Sequence, residues 1–143
     1  MKDTLKAYNV FSSDASEADD AVHLGVSWYP EMWPEEEWTK DIVRMQEIGF
    51  SLIRLFEFAW KCFEPKEGEY EFDWALRILD HLHAAGIQVM LGTPTAAPPA
   101  WLTTRYPEVL MTDASGKIKK HGMRKHYNPH SRKYRELACN IVA

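Results

Sequence analysis

Long apolar runs, paired cysteines and an excess of basic residues are all scarce in this sequence, and each shortage excludes something. No stretch approaches the roughly 18 consecutive apolar residues of a membrane-spanning helix, so no such helix is expected. Cys62 and Cys139 are the only two cysteines; they stand far apart, in no metal-like spacing, and read as free thiols of a reducing compartment. The net charge of −4 argues against a nucleic-acid binder, which normally carries a basic face. The one basic run, Lys117 to Lys125, reads as a solvated loop. Lys2 and Lys6 precede no apolar core of a secretory signal, which makes the cytoplasm the expected location. No metal, cofactor or membrane partner is expected.

Aromatic residues are abundant, at 13% with six Trp. Flat rings serve a large core, the commoner use, or a cleft in which they stack on sugars. Residues 1–21 contain the acidic, small-residue stretch Ser12 to Asp20, which buries too little to offset its ordering entropy and reads as a mobile leader. Order is expected over 22–143.

The pattern there alternates. His23 to Trp28 is a short apolar strand stopped by Tyr29-Pro30. Pro34 then suits the first turn of a helix, with Glu35, Glu36 and Glu37 facing the positive end of its dipole. Trp38, Ile42, Met45 and Ile48 recur at helical spacing before Gly49. Phe50 to Phe56 is a second strand. Asp73 caps a second helix with Leu76, Leu79 and Leu82 on its apolar face, ended by Gly86. Ile87 to Leu91 is a third strand. A long proline-broken stretch, Thr93 to His130, follows; loops of that length are uncommon unless functional. Ser131 reads as the N-cap of a third helix bearing Tyr134, Leu137, Ala138 and Ile141.

Such alternation implies α/β architecture with a parallel sheet and right-handed crossovers. Three parallel strands leave two edges open and one face bare, which parallel sheets rarely tolerate. The last helix reaches Ala143 without a stop signal. The expectation is therefore the first three strand–helix units of an incomplete (β/α)8 TIM barrel, a fold that needs roughly 250 residues.

In such barrels the site lies beyond the C-terminal ends of the strands. Here those ends carry Tyr29-Pro30-Glu31 with Trp33-Pro34, then Glu57-Phe58-Ala59-Trp60 with Glu64-Pro65. Leu91-Gly92-Thr93-Pro94-Thr95-Ala96 follows, with Pro98 and Trp101-Leu102, then Tyr106-Pro107-Glu108 and His126-Tyr127. In this order, from about Leu24 onward, the motifs resemble the N-terminal barrel of the glycoside hydrolase family 42 β-galactosidases. That resemblance implies a retaining mechanism, in which two carboxyl groups about 5–5.5 Å apart act as acid/base and nucleophile. In families of this architecture the acid/base Glu follows an Asn at the end of strand four and the nucleophile ends strand seven. This chain has no Asn-Glu pair, so both catalytic carboxylates are expected beyond Ala143 and the chain alone is expected to be inactive.

What the resemblance leaves here is substrate positioning. Arg124 matches an arginine similar to the family's galactose-binding residue, and a five-donor guanidinium suits sugar hydroxyls; otherwise it is a surface arginine. Arg54, inside an apolar strand, holds either the nucleophile or a structural ion pair, since buried arginines are normally paired. Glu57 either lines the site or supports the scaffold. Trp60 and Trp101 stack on sugar or pack in the core. Some relatives carry a zinc-binding cysteine where this chain has Asn128, so metal is not expected there. Alternatives are a non-catalytic sugar-binding module, or another glycosidase of the same barrel. The complete enzyme would be a homo-oligomer acting on a β-galactoside.

Overall fold

The computed structural model describes residues 22–123 and 125–143. The acidic leader, 1–21, and Arg124 lie outside the described residues. The rest falls into two compact units, one of residues 22–55 with 73–91, the other of residues 56–72 with 92–143.

The first unit is a three-stranded parallel sheet with two helices. Its strands, β1 (Gly25–Ser27), β2 (Leu52–Leu55) and β3 (Gln88–Leu91), lie in the order β1-β2-β3. Ser27 pairs with Arg54, and Arg54 with Met90. Gly25 is required where it stands: a Cβ there would sit 2.7 Å from the Leu52 carbonyl oxygen, so only glycine lets β1 approach β2 this closely.

Helix α1 (Glu35–Ile48) begins after Pro34 with three glutamates in its first turn, and Gly49 closes it at φ 88°, a left-handed value that glycine adopts without strain. Trp38, Ile42 and Met45 are buried, as their spacing predicts, but Ile48 is 62% exposed. At about 100° per residue, Ile48 falls roughly 80° from Trp38 around the axis, off the buried stripe. Between β2 and β3 run the short helix α2 (Trp60–Phe63), which belongs to the second unit, and α3 (Asp73–Ala84), which buries Ala75, Ile78, Leu79 and Leu82. Helix α3 packs against α1 and β3. Arg77 clamps Glu35 of α1 in a forked pair, with Nε and Nη2 each 2.9 Å from a carboxylate oxygen. That guanidinium holds the Glu35 carboxyl below its ordinary value.

Alternation along β2 divides the sheet. Ile53 and Leu55 are fully buried, whereas Arg54, between them, points to the opposite and exposed side. Met90 and Gln88, in the same rows of β3, are exposed as well. A parallel sheet with one bare face is unusual, and it is what an incomplete barrel presents.

The second unit holds α2 (Trp60–Phe63), α4 (Ala100–Arg105) and α5 (Arg132–Val142). The proline-rich stretch read as one long loop is thus partly helical. Three of its five prolines start an element: Pro94 and Pro107 open 3-10 turns, and Pro99 precedes α4, positions where a fixed φ and a missing N–H cost little. Ser131 caps α5 by accepting from the Tyr134 N–H at 3.3 Å, and Tyr134, Leu137 and Ile141 are buried, as expected. The basic run is solvated: Lys117, Lys120 and Lys125 are exposed.

Candidate functional site

In the sheet unit, the segment after β1 is stiff. The Trp28 N–H extends the ladder to the Arg54 carbonyl at 3.0 Å, and its indole donates to Asp41 at 3.1 Å. Pro30 to Met32 forms a 3-10 turn, closed by the Met32 and Trp33 N–H groups donating to the carbonyls of Tyr29 and Pro30. The buried Trp38 indole donates to the same Pro30 carbonyl. Arg54 lies on the bare face of the sheet. The expectation of a buried arginine is thereby corrected: β2 reads as uniformly apolar, but only one of its faces is covered. Both roles considered for Arg54 survive this.

In the second unit, Phe56 leaves β2 at φ 74°. That value is rare for a bulky residue and is a local strain, held by an edge-on contact with Phe63 at 5.2 Å between ring centroids. Glu57, which follows in this turn, is half-buried. Because β2 ends at Leu55 and Phe56 is left-handed, strand alternation does not carry on to Glu57.

The centre of this unit is Glu64, which spacing did not single out. It is 2% exposed. Its Oε2 accepts from the Trp60 indole at 2.8 Å, its Oε1 from the Gly68 N–H at 2.8 Å, and its carbonyl from the Trp101 indole at 2.8 Å. Trp60 is fully buried, so it packs in the core and does not stack on a ligand. The signal for Glu64 was its place four residues after Trp60, one helical turn away. Farther out, Glu67 accepts from Tyr106 and Arg105, and Lys133 lies over the Tyr106 ring at 4.8 Å.

A cavity of about 850 Å³ opens in this unit, walled by Phe58, Lys61, Pro98, His121, His126 and Tyr127 among others. Apolar and aromatic walls with a few polar groups are the usual make-up of a small-ligand site. Met123 and Lys125 both contribute to the wall. The Thr95 carbonyl accepts from the buried Tyr134 hydroxyl at 2.8 Å, and burial pushes that hydroxyl well above its ordinary value. Tyr134 stacks on Tyr127 at 4.6 Å, which braces the wall from behind. His126 is buried. Its Nδ1 lies 2.8 Å from the Met123 carbonyl, which can only accept, so the proton is on Nδ1. His121 packs edge-on against it at 5.0 Å; burial, then His126, lowers the His121 pKa.

This order of elements and loops is matched by known proteins. The family model for glycoside hydrolase family 42, β-galactosidase, matches residues 27–143. The chain belongs to glycoside hydrolase family 42. A β-galactosidase of Thermus thermophilus is 49% identical over 119 residues, which are 83% of this chain and 18% of that protein. One from Bifidobacterium bifidum is 43% identical over 124 residues, covering 87% and 18%. The crystal structure of a β-galactosidase from the psychrophilic Marinomonas ef1 superposes with a TM-score of 0.80 at 43% identity, over 85% of this chain and 18% of that one. The family 42 chain described here therefore spans under a fifth of the length of these relatives, and its strand–helix array is an incomplete part of a TIM barrel.

Neither Cys62 nor Cys139 joins a metal-like group among the described residues, and no described helix is long and apolar enough to cross a membrane. Of the three residues assigned to substrate, Arg54 and Glu57 are placed in separate units and Arg124 lies outside the described residues.

Proposed function

We propose that this segment belongs to a retaining β-galactosidase that releases terminal β-D-galactosyl residues, and that it supplies scaffold and substrate-positioning groups while the two catalytic carboxylates lie beyond residue 143. One observation carries the reading: identity of 49% to a β-galactosidase over 83% of this chain, on only 18% of that protein's length. The absence of an Asn-Glu pair supports assigning both carboxylates to the remainder. Arg124, Arg54 and Glu57 are the substrate-binding residues of this reading. The cavity walled by His126, Tyr127, Met123 and Lys125 lies in the segment that carries Arg124, and its size suits a sugar. The complete enzyme is a cytoplasmic homo-oligomer in this account, with no nucleic-acid partner and no cofactor.

The test is direct. The purified 143-residue chain, freed of host enzymes, is expected to show no turnover of an aryl β-galactoside, and calorimetric titration with galactose is expected to give no measurable heat. Turnover would refute the placement of the carboxylates. Measurable galactose binding without turnover would favour a sugar-binding module.

A further inference from the structure

Of the six tryptophans only Trp33 is exposed, at 58%; Trp28, Trp38 and Trp60 are buried, and Trp74 and Trp101 are half-buried. Four of the others spend their indole N–H on fixed partners: Trp28 on Asp41, Trp38 on Pro30, Trp60 on Glu64 and Trp101 on the Glu64 carbonyl. Those rings are structural. Trp33 is not a frayed residue either. It sits between Pro30 and Pro34 in extended backbone, its N–H donating to the Pro30 carbonyl at 3.1 Å, and that carbonyl is also gripped by the Trp38 indole. Pro34 then leads directly into α1. The backbone thus fixes this residue, its ring exposed, just past the C-terminal end of β1. That is the end of a parallel strand–helix array at which ligands bind.

We infer that Trp33 is a specificity-determining residue that stacks on the leaving-group sugar of a disaccharide β-galactoside. The inference rests on the β-galactosidase reading and extends it to a residue that reading does not assign. A pyranose offers one face of C–H groups, which an indole face contacts well. A ring carried on backbone that is already fixed gains that contact at a lower ordering cost. Its openness suits the half of the substrate that is exchanged with solvent, whereas the glycone must be enclosed and anchored by charged donors and acceptors.

The experiment uses the complete enzyme that carries this segment, as wild type, Trp33→Ala and Trp33→Phe. Each is assayed on lactose, which has a sugar leaving group, and on β-galactosyl fluoride, which has none. The expected result for Trp33→Ala is a loss of kcat/KM on lactose of roughly 10-fold or more, carried mainly by KM, in line with other ring-stacking contacts. Trp33→Phe is expected to keep most of it, and galactosyl fluoride turnover is expected to change by less than about twofold. Because the ring is exposed, melting temperatures should stay together, which separates loss of contact from loss of fold. Equal losses on both substrates, no loss on lactose, or a changed oligomeric state with unchanged kinetics would each overturn the inference. If the wild-type enzyme turns over neither substrate, the β-galactosidase reading itself has failed.

Discussion

Glu64 is where a single change should tell most about how this chain holds together. Its carboxylate is buried and both oxygens accept, from the Trp60 indole and from the Gly68 N–H. Glu64→Gln keeps the shape but offers one acceptor in place of two, and turns its NH2 group against one of the two donors. The lost charge-assisted bond is worth about 1.5–3 kcal/mol, and the orphaned buried N–H costs about 1–3 kcal/mol more. Relief of carboxylate desolvation works in the opposite direction, leaving a net loss of about 2–3 kcal/mol. Glu64→Leu orphans both donors and should cost more still. With a urea dependence of about 2 kcal/mol per molar for a chain of this size, Glu64→Gln should lower the midpoint by about 1–1.5 M. The assay is urea unfolding followed by tryptophan fluorescence, at concentrations where light scattering shows no association. A Glu64→Leu chain as stable as wild type would refute the reasoning, because it would mean that neither donor depends on this carboxylate.

Three further outcomes follow from the geometry. Gly25→Ala forces a methyl group to within 2.7 Å of the Leu52 carbonyl, and the β1–β2 ladder should separate, seen as faster amide exchange at Val26 and Trp28; unchanged protection would contradict the close approach. Arg77→Ala should return the Glu35 carboxyl towards its ordinary 4.5, followed by carbon NMR titration. Since the folded value is the lower one, the stabilisation from this pair is present above pH 4.5 and fades as pH falls through the folded value; the variant should lose that acid-side dependence. Tyr134→Phe removes the bond to the Thr95 carbonyl and should cost about 1 kcal/mol, or about 3 °C of melting temperature; no shift would show that water serves the carbonyl equally well.

The sequence made the alternating array legible because hydrophobic period and helix stops agreed: Gly49 and Gly86 both take left-handed conformations after their helices. Ile48 was misplaced because a three-residue step drifts off a stripe with a 3.6-residue period. The stretch after β3 looked structureless because its prolines read as breakers, whereas three of them open turns or a helix. Arg54 was read as buried because the run Leu52 to Leu55 does not show which face is covered; that depends on what packs against the sheet. Glu64 was missed for a different reason. Its donors, Trp60 and Gly68, stand four residues to either side, but that spacing does not show that the carboxylate is buried, which depends on what packs over it. The family was legible from the order of the loop motifs, and the match over residues 27–143 agrees.

The central claim is that this chain opens a β-galactosidase barrel whose chemistry is supplied by residues beyond Ala143. Sequencing the coding DNA directly downstream of that codon tests it most plainly. The account predicts an uninterrupted frame that continues α5 and yields a fourth apolar strand ending in Asn-Glu. A frame that continues into an unrelated pattern, or a fourth strand without that pair, would contradict it.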